Sequence, residues 1–141
     1  DTRPGAEPAP VVQFLEALRT FPKPLLAAVA GPAVGIGTTL LLHCDLVYAA
    51  DNAAFSLPFV NLGLCPEAGS SWLLPSLVGY HRAAEKLMLG EPFGAETATE
   101  AGLVNTVVEP GTALEAGLAK AKALYAPTRV SYEKIEPSLS L

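Results

Sequence analysis

The chain has 141 residues with a formal net charge of −5, and its 9 Lys and Arg are scattered, which excludes the clustered positive charge of a nucleic-acid or anionic-membrane surface. Half the residues are hydrophobic and mean hydropathy is +0.36, enough for a real core, yet no apolar run is long enough to span a bilayer. Cys44 and Cys65 are too few for a disulfide scaffold and lack metal-ligand spacing, so both are expected as small buried hydrophobes in a reducing compartment, with no metal.

Asp1–Pro10 is a Pro- and Ala-rich lead-in without the apolar stretch of a secretory signal. No Met stands first, so translation is expected to begin upstream. Val11, Val12, Phe14, Leu15 and Leu18 then form one stripe at helical spacing, stopped by Phe21-Pro22-Lys23-Pro24. Leu25–Val29 reads as a short buried strand, Ala30–Gly37 as a glycine-rich turn, and Thr38–Cys44 as a helix apolar on nearly every face, hence buried. A helix starting in such a turn offers free N–H groups backed by the positive end of its dipole. They suit a phosphate or the oxygen of a polarised carbonyl; a tight turn with no ligand is the plainer alternative.

Further along, Asp45–Ala50 passes from helix end into strand, Asp51-Asn52 marks a turn, and Ala53–Ser56 is a second strand. A loop with a possible short helix leads through Cys65-Pro66-Glu67-Ala68-Gly69 to a helical segment, Trp72–Leu89, broken at Gly79. Ala95–Ala101 is a short helix, Leu103–Val108 strand-like, and Thr112–Tyr125 an Ala/Leu/Lys helix; Ala126–Leu141 carries two prolines and little periodicity. Alternating strands and helices predict an α/β chain.

Several chemistries lack their anchor. Gly35-Ile36-Gly37-Thr38-Thr39-Leu40 has leucine where a dinucleotide fingerprint needs its third glycine, and there is neither a Gly-Lys-Ser/Thr phosphate loop nor a Gly-x-Ser-x-Gly elbow. His43, inside an apolar helix, reads as a satisfied core histidine, His81 as a surface or helix-start residue, and Asp45 as a structural hydrogen-bonder. Glu67 differs, lying between the apolar flanks Leu62-Gly63-Leu64-Cys65 and Trp72-Leu73-Leu74. A carboxylate in such surroundings is a better base than one in water. The alternative, a helix-start residue favoured by the dipole, stays open.

Lys23–Gly37 as a whole resembles the central segment of the crotonase (enoyl-CoA hydratase/isomerase) superfamily. Cys44–Ala50, Ala54-Phe55, Leu62-Gly63 and Ala101–Val104 extend the match in order, over roughly Phe14 to Leu124. The resemblance implies a partial crotonase (ClpP/crotonase-like) spiral of ββα units. Residues 1–124 would form its central and C-terminal part, and 125–141 a divergent tail. It also implies an acyl-CoA thioester substrate with no further cofactor, and a homo-oligomer, a trimer or a dimer of trimers. Location is expected to be cytoplasmic, in a bacterium. Family members are about twice this length, and the second oxyanion donor and most CoA contacts belong to their N-terminal half.

Within the family the residues lean toward the enoyl-CoA delta isomerases. The two glutamates with which a hydratase positions water match Thr39 and Phe59, whereas Glu67 matches the single glutamate of an isomerase. The resemblance assigns Glu67 as the catalytic base and the Ile36 backbone N–H as an oxyanion donor. Val34, Gly35, Ile36, Phe59, Leu62, Pro66 and Ser70 are the expected substrate contacts. An enoyl-CoA hydratase or another acyl-CoA enzyme, and a non-catalytic fragment of the fold, are the alternatives.

Overall fold

The structure, a computed structural model, describes residues 8–125. The chain winds through two small sheets in turn. Strand β1 (Leu26–Val29) belongs to the first, β2 (Pro32–Val34) to the second, and helix α2 (Ile36–Thr39) follows, extended by a 3-10 turn over Leu40–His43. The cycle repeats with β3 (Leu46–Ala50), β4 (Ala54–Ser56) and helices α3 (Ser70–Val78) and α4 (Tyr80–Leu89). β1 and β3 pair in parallel, as do β2 and β4. This is the expected α/β spiral of ββα units. Strand β5 (Phe93–Gly94) closes the second sheet antiparallel to β4, and β6 (Thr106–Val108) adds to β3 in parallel. Helix α1 (Pro10–Arg19) precedes β1, α5 (Ala95–Glu100) joins β5 to β6, and α6 (Ala113–Tyr125) packs on β1 and β3.

Several expectations need correction. The strand expected to be buried, β1, is half-buried, with Ala28 exposed. The glycine-rich stretch Ala30–Gly37 is not one turn: Pro32–Val34 pairs with Ala54–Ser56 as a three-residue edge strand. Proline is tolerated there because the first residue of an edge strand has no ladder bond to donate. The helix begins at Ile36, two residues early, and narrows to a 3-10 turn; Thr38, Thr39 and Leu41 are buried but Leu40, Leu42, His43 and Cys44 are half-buried. Cys65 is exposed and Cys44 half-buried, so neither is a fully buried hydrophobe. On α1 only Leu18 is buried, and Val11, Val12 and Phe14 of the apolar stripe face outward. The Gly79 break and the helices on either side of it stand as expected. The tail after Tyr125 lies outside the described residues.

The main core packs Val47, Ala49, Phe55, Leu103 and Val104 between the sheets and helices. Phe55, wholly buried, stacks on Phe93 at 5.7 Å between ring centroids. A second cluster, Leu57, Phe59, Leu74 and Ala83, fixes α3 and α4 behind the loop after β4. Removing a ring such as Phe55 costs on the order of 3–5 kcal/mol. These two clusters set where β4, the loop and α3 sit relative to α2.

Candidate active site

The head of α2 is built by Gly35. Its φ of 56° lies in the left-handed region that a side chain resists, and it turns the chain from β2 directly into the helix. The Gly35 N–H donates to Ser56 O at 3.0 Å, and the Gly35 carbonyl accepts from Thr38 and Thr39 N–H, both at 2.9 Å. The N–H groups of Ile36 and Gly37 have no acceptor among the described residues. They are the free donors that a helix start leaves over.

Thr38 locks this head in place. Its hydroxyl, fully buried, donates to Ala33 O at 2.6 Å and accepts from Ser56 N–H at 3.3 Å, tying α2 to both β2 and β4. Nearby, Asp45 answers its expected structural role. Its carboxylate accepts from Leu25 N–H at 2.7 Å while Leu25 O accepts from Asp45 N–H at 2.8 Å.

Glu67 arrives from the loop between β4 and α3. Its half-buried side chain meets Thr39, with Oγ1 3.4 Å from Oε1. Thr39 is in the single turn of α2 that begins at Ile36, three residues or about 4.5 Å along the axis and on the same face. The carboxylate thus meets a residue one helical turn from Ile36, which bears the first free N–H. It caps no N–H of α3, whose N-cap is Gly69 without a side-chain hydrogen bond. Glu67 does lie at the start of α3, where its carbonyl accepts from Ser70 N–H at 2.9 Å, so both the site reading and the helix-start reading have a contact to rest on.

The other expected contacts divide. Val34 and Leu62 are exposed, at 54% and 67%; Gly35, Ile36 and Pro66 are half-buried beside them in sequence and open to contact. Phe59 and Ser70 go the other way. Phe59 packs in the second core cluster, and Ser70 is wholly buried with its N–H given to Glu67 O at 2.9 Å. These two side chains support the loop from inside rather than offering surface to a ligand.

Two features escaped sequence reading. Thr39 was visible only as a residue unable to act as a base, and its contact with Glu67 spans 28 positions, with no local signal. His43 is the satisfied histidine expected, but its partner is the carbonyl of Ala68, 2.8 Å from Nε2, next to Glu67. Along the other side of α2 a cleft of about 440 Å³ runs past Ala27–Ala33, Gly37, Leu40 and Leu41. Its lining has no titratable side chain.

Among the described residues no group of His, Cys, Asp and Glu could hold a metal ion, and no helix is long and apolar enough to cross a membrane. The family model for enoyl-CoA hydratase/isomerase matches residues 6–139. The chain is 47% identical over 100 residues to rat enoyl-CoA delta isomerase 2, covering 71% of this chain and 26% of that protein. It is 42% identical over 118 residues to Escherichia coli 2,3-dehydroadipyl-CoA hydratase, covering 84% and 43%. A solved enoyl-CoA hydratase/isomerase from Pseudoalteromonas atlantica superposes with a TM-score of 0.83 at 39% identity, over 89% of this chain and 50% of that one. The chain spans between a quarter and a half of the length of these relatives. By sequence match and by the course of its strands, it belongs to the enoyl-CoA hydratase/isomerase family, the crotonase superfamily.

Proposed function

We propose that this chain carries the base and one oxyanion donor of an enoyl-CoA isomerase that moves a 3-enoyl-CoA double bond to the 2-position. The observation that carries the reading is the carboxylate of Glu67 beside the first turn of α2, 3.4 Å from Thr39 Oγ1. The positions matching a hydratase's paired glutamates hold Thr39 and Phe59. Neither can accept a proton from water.

The chemistry needs no more than this. Glu67 takes a proton from C2, and the C2–H electron pair moves toward the thioester carbonyl, giving an enolate. The enolate oxygen is held by the Ile36 N–H, with Gly37 N–H behind it. The enolate then collapses: the thioester carbonyl re-forms, the C1=C2 pair becomes the C2=C3 bond, and the C3=C4 pair takes the proton back from Glu67 at C4. One carboxylate serves both ends, and no water is activated. The resemblance puts the second oxyanion donor in the part of the fold that this chain does not span.

Val34, Gly35, Ile36, Leu62 and Pro66 are the proposed substrate contacts, with Phe59 and Ser70 acting from behind. Assembly into trimers is part of the proposal, supported by apolar side chains left outward on several elements, among them Phe14, Leu62, Trp72 and Met88. A cytoplasmic setting is part of the proposal, since two cysteines in 141 residues are too few for a disulfide scaffold.

A second reading, hydration of a 2-enoyl-CoA with water held by Glu67 alone, is favoured by the similarity to the Escherichia coli hydratase. The two separate in one pair of assays. With a 3-enoyl-CoA, an isomerase produces conjugated thioester absorbance. With a 2-enoyl-CoA, a hydratase removes it. Loss of conjugation without any gain in the first assay would overturn the isomerase reading.

A further inference from the structure

We infer that His43 is a positioning residue for Glu67, acting through the backbone of Ala68; this rests on Glu67 being the base. A carbonyl oxygen can only accept, so at 2.8 Å from Ala68 O the Nε2 of His43 must carry the proton and donate. Ala68 is the one non-glycine residue with positive φ among the described residues, at 52°, and Gly69 follows at 65°. Two left-handed residues in succession swing the chain sharply between Glu67 and α3. Glycine accepts that conformation freely, whereas alanine resists it and needs an external tie. His43 supplies the tie.

The carboxylate itself is only loosely held. At 3.4 Å, the Thr39 contact is long for a hydroxyl on a carboxylate, where about 2.5–2.7 Å is usual. A group that must take a proton and return it gains from this slack, because short charge-assisted bonds favour the ionised form and weaken it as a base. Its aim must then come from the main chain. On the other side the loop is tied through its backbone alone: Ser70 donates its N–H to Glu67 O at 2.9 Å, while its buried Oγ has no hydrogen-bond partner among the described residues. His43 closes the 3-10 turn that continues α2, so one element presents the Ile36 N–H at its head and grips the Glu67 loop at its tail. Base and oxyanion donor are thereby kept in register.

The test uses the full chain and two substitutions. His43→Leu keeps bulk and removes the donor; His43→Gln keeps an N–H able to reach the same carbonyl. Hydrogen exchange of the amides from Glu67 to Leu73 is read by mass spectrometry. With His43→Leu these amides should exchange at least about 10-fold faster, the β-strand amides should not change, and His43→Gln should recover most of the protection. Turnover of a 3-enoyl-CoA should fall about 10-fold or more in kcat with KM within about twofold, and recover with the glutamine. Unchanged exchange in His43→Leu overturns the inference, as does faster exchange with unchanged kcat while Glu67→Gln abolishes turnover. Turnover surviving in Glu67→Gln overturns the isomerase reading instead, and the exchange data then still decide whether His43 holds the loop. Should His43→Leu fail to fold, nitrogen-15 NMR of the unmodified protein decides: a neutral imidazole with its proton on Nδ1 overturns the inference, and one with its proton on Nε2 supports it.

Discussion

Thr38→Val replaces a buried hydroxyl by a methyl of nearly the same volume, so packing is kept and only polar contacts are lost. In the native protein that hydroxyl donates to Ala33 O at 2.6 Å and accepts from Ser56 N–H at 3.3 Å. It also lies 3.1 Å from Ser56 O. It has a single proton, and Ser56 O already accepts from Gly35 N–H at 3.0 Å, so this third contact adds little. Valine withdraws one donor and one acceptor from groups that water cannot reach, since Thr38 is 1% exposed. Depriving a buried polar group of its partner costs about 1–3 kcal/mol. The shorter bond to Ala33 O carries most of this, giving a net destabilisation of about 2 kcal/mol. With a urea m-value of about 1–3 kcal/mol/M, the midpoint should fall by roughly 1 M. Equilibrium urea unfolding followed by circular dichroism measures this, with Thr38→Ser as the control that retains the hydroxyl and should lose less. A Thr38→Val protein as stable as the parent would refute the assignment of Thr38 as the bolt between α2, β2 and β4.

The oxyanion role of Ile36 is a property of its backbone. Ile36→Pro deletes the N–H and should cost about 2.7–4 kcal/mol of transition-state stabilisation, or roughly 10²–10³ in kcat, while Ile36→Val should stay within a few-fold; equal damage from both, with the fold intact by circular dichroism, would assign the effect to the side chain. Assembly is read by sedimentation velocity at micromolar concentration: a single trimeric or hexameric species is expected, and a monodisperse monomer would contradict the assembly proposed for the outward apolar side chains.

What could be read from the residues was local. The bonded His43 and Asp45 were expected from a polar side chain set in an apolar stretch; both bonds are present, though His43 is half-buried and Asp45 exposed. The break at Gly79 follows from glycine between two helical patterns, and it stands in the structure with φ of 85°. Strands β2 and β5 were illegible because three and two residues are too short to show a period of two; pairing with β4, not propensity, makes them strands. The burial of Cys65 was misjudged because apolar neighbours in sequence, Leu62 and Leu64, are themselves exposed. The site was half legible. Glu67 stood out by apolar flanks that the structure leaves exposed, Leu62, Leu64, Cys65 and Trp72, and Ile36 by the glycines around it, while Thr39 and His43 reach the Glu67 loop across 28 and 25 positions. No spacing in a linear sequence encodes such contacts. The left-handed Ala68 was equally hidden, since alanine carries no mark of that conformation.

The most direct test of the central claim is exchange of the C2 proton of a 3-enoyl-CoA with deuterated solvent, compared between the parent protein and Glu67→Gln. Glutamine keeps the size and polarity of the side chain but cannot take the proton. Exchange and isomerisation should fall together by about 10²–10⁴-fold, the range of general acid–base catalysis. Binding of the CoA ester should change little, because the Ile36 N–H still meets the thioester oxygen. Exchange that continues in Glu67→Gln at the parent rate would contradict the account and send the search for the base elsewhere in the site.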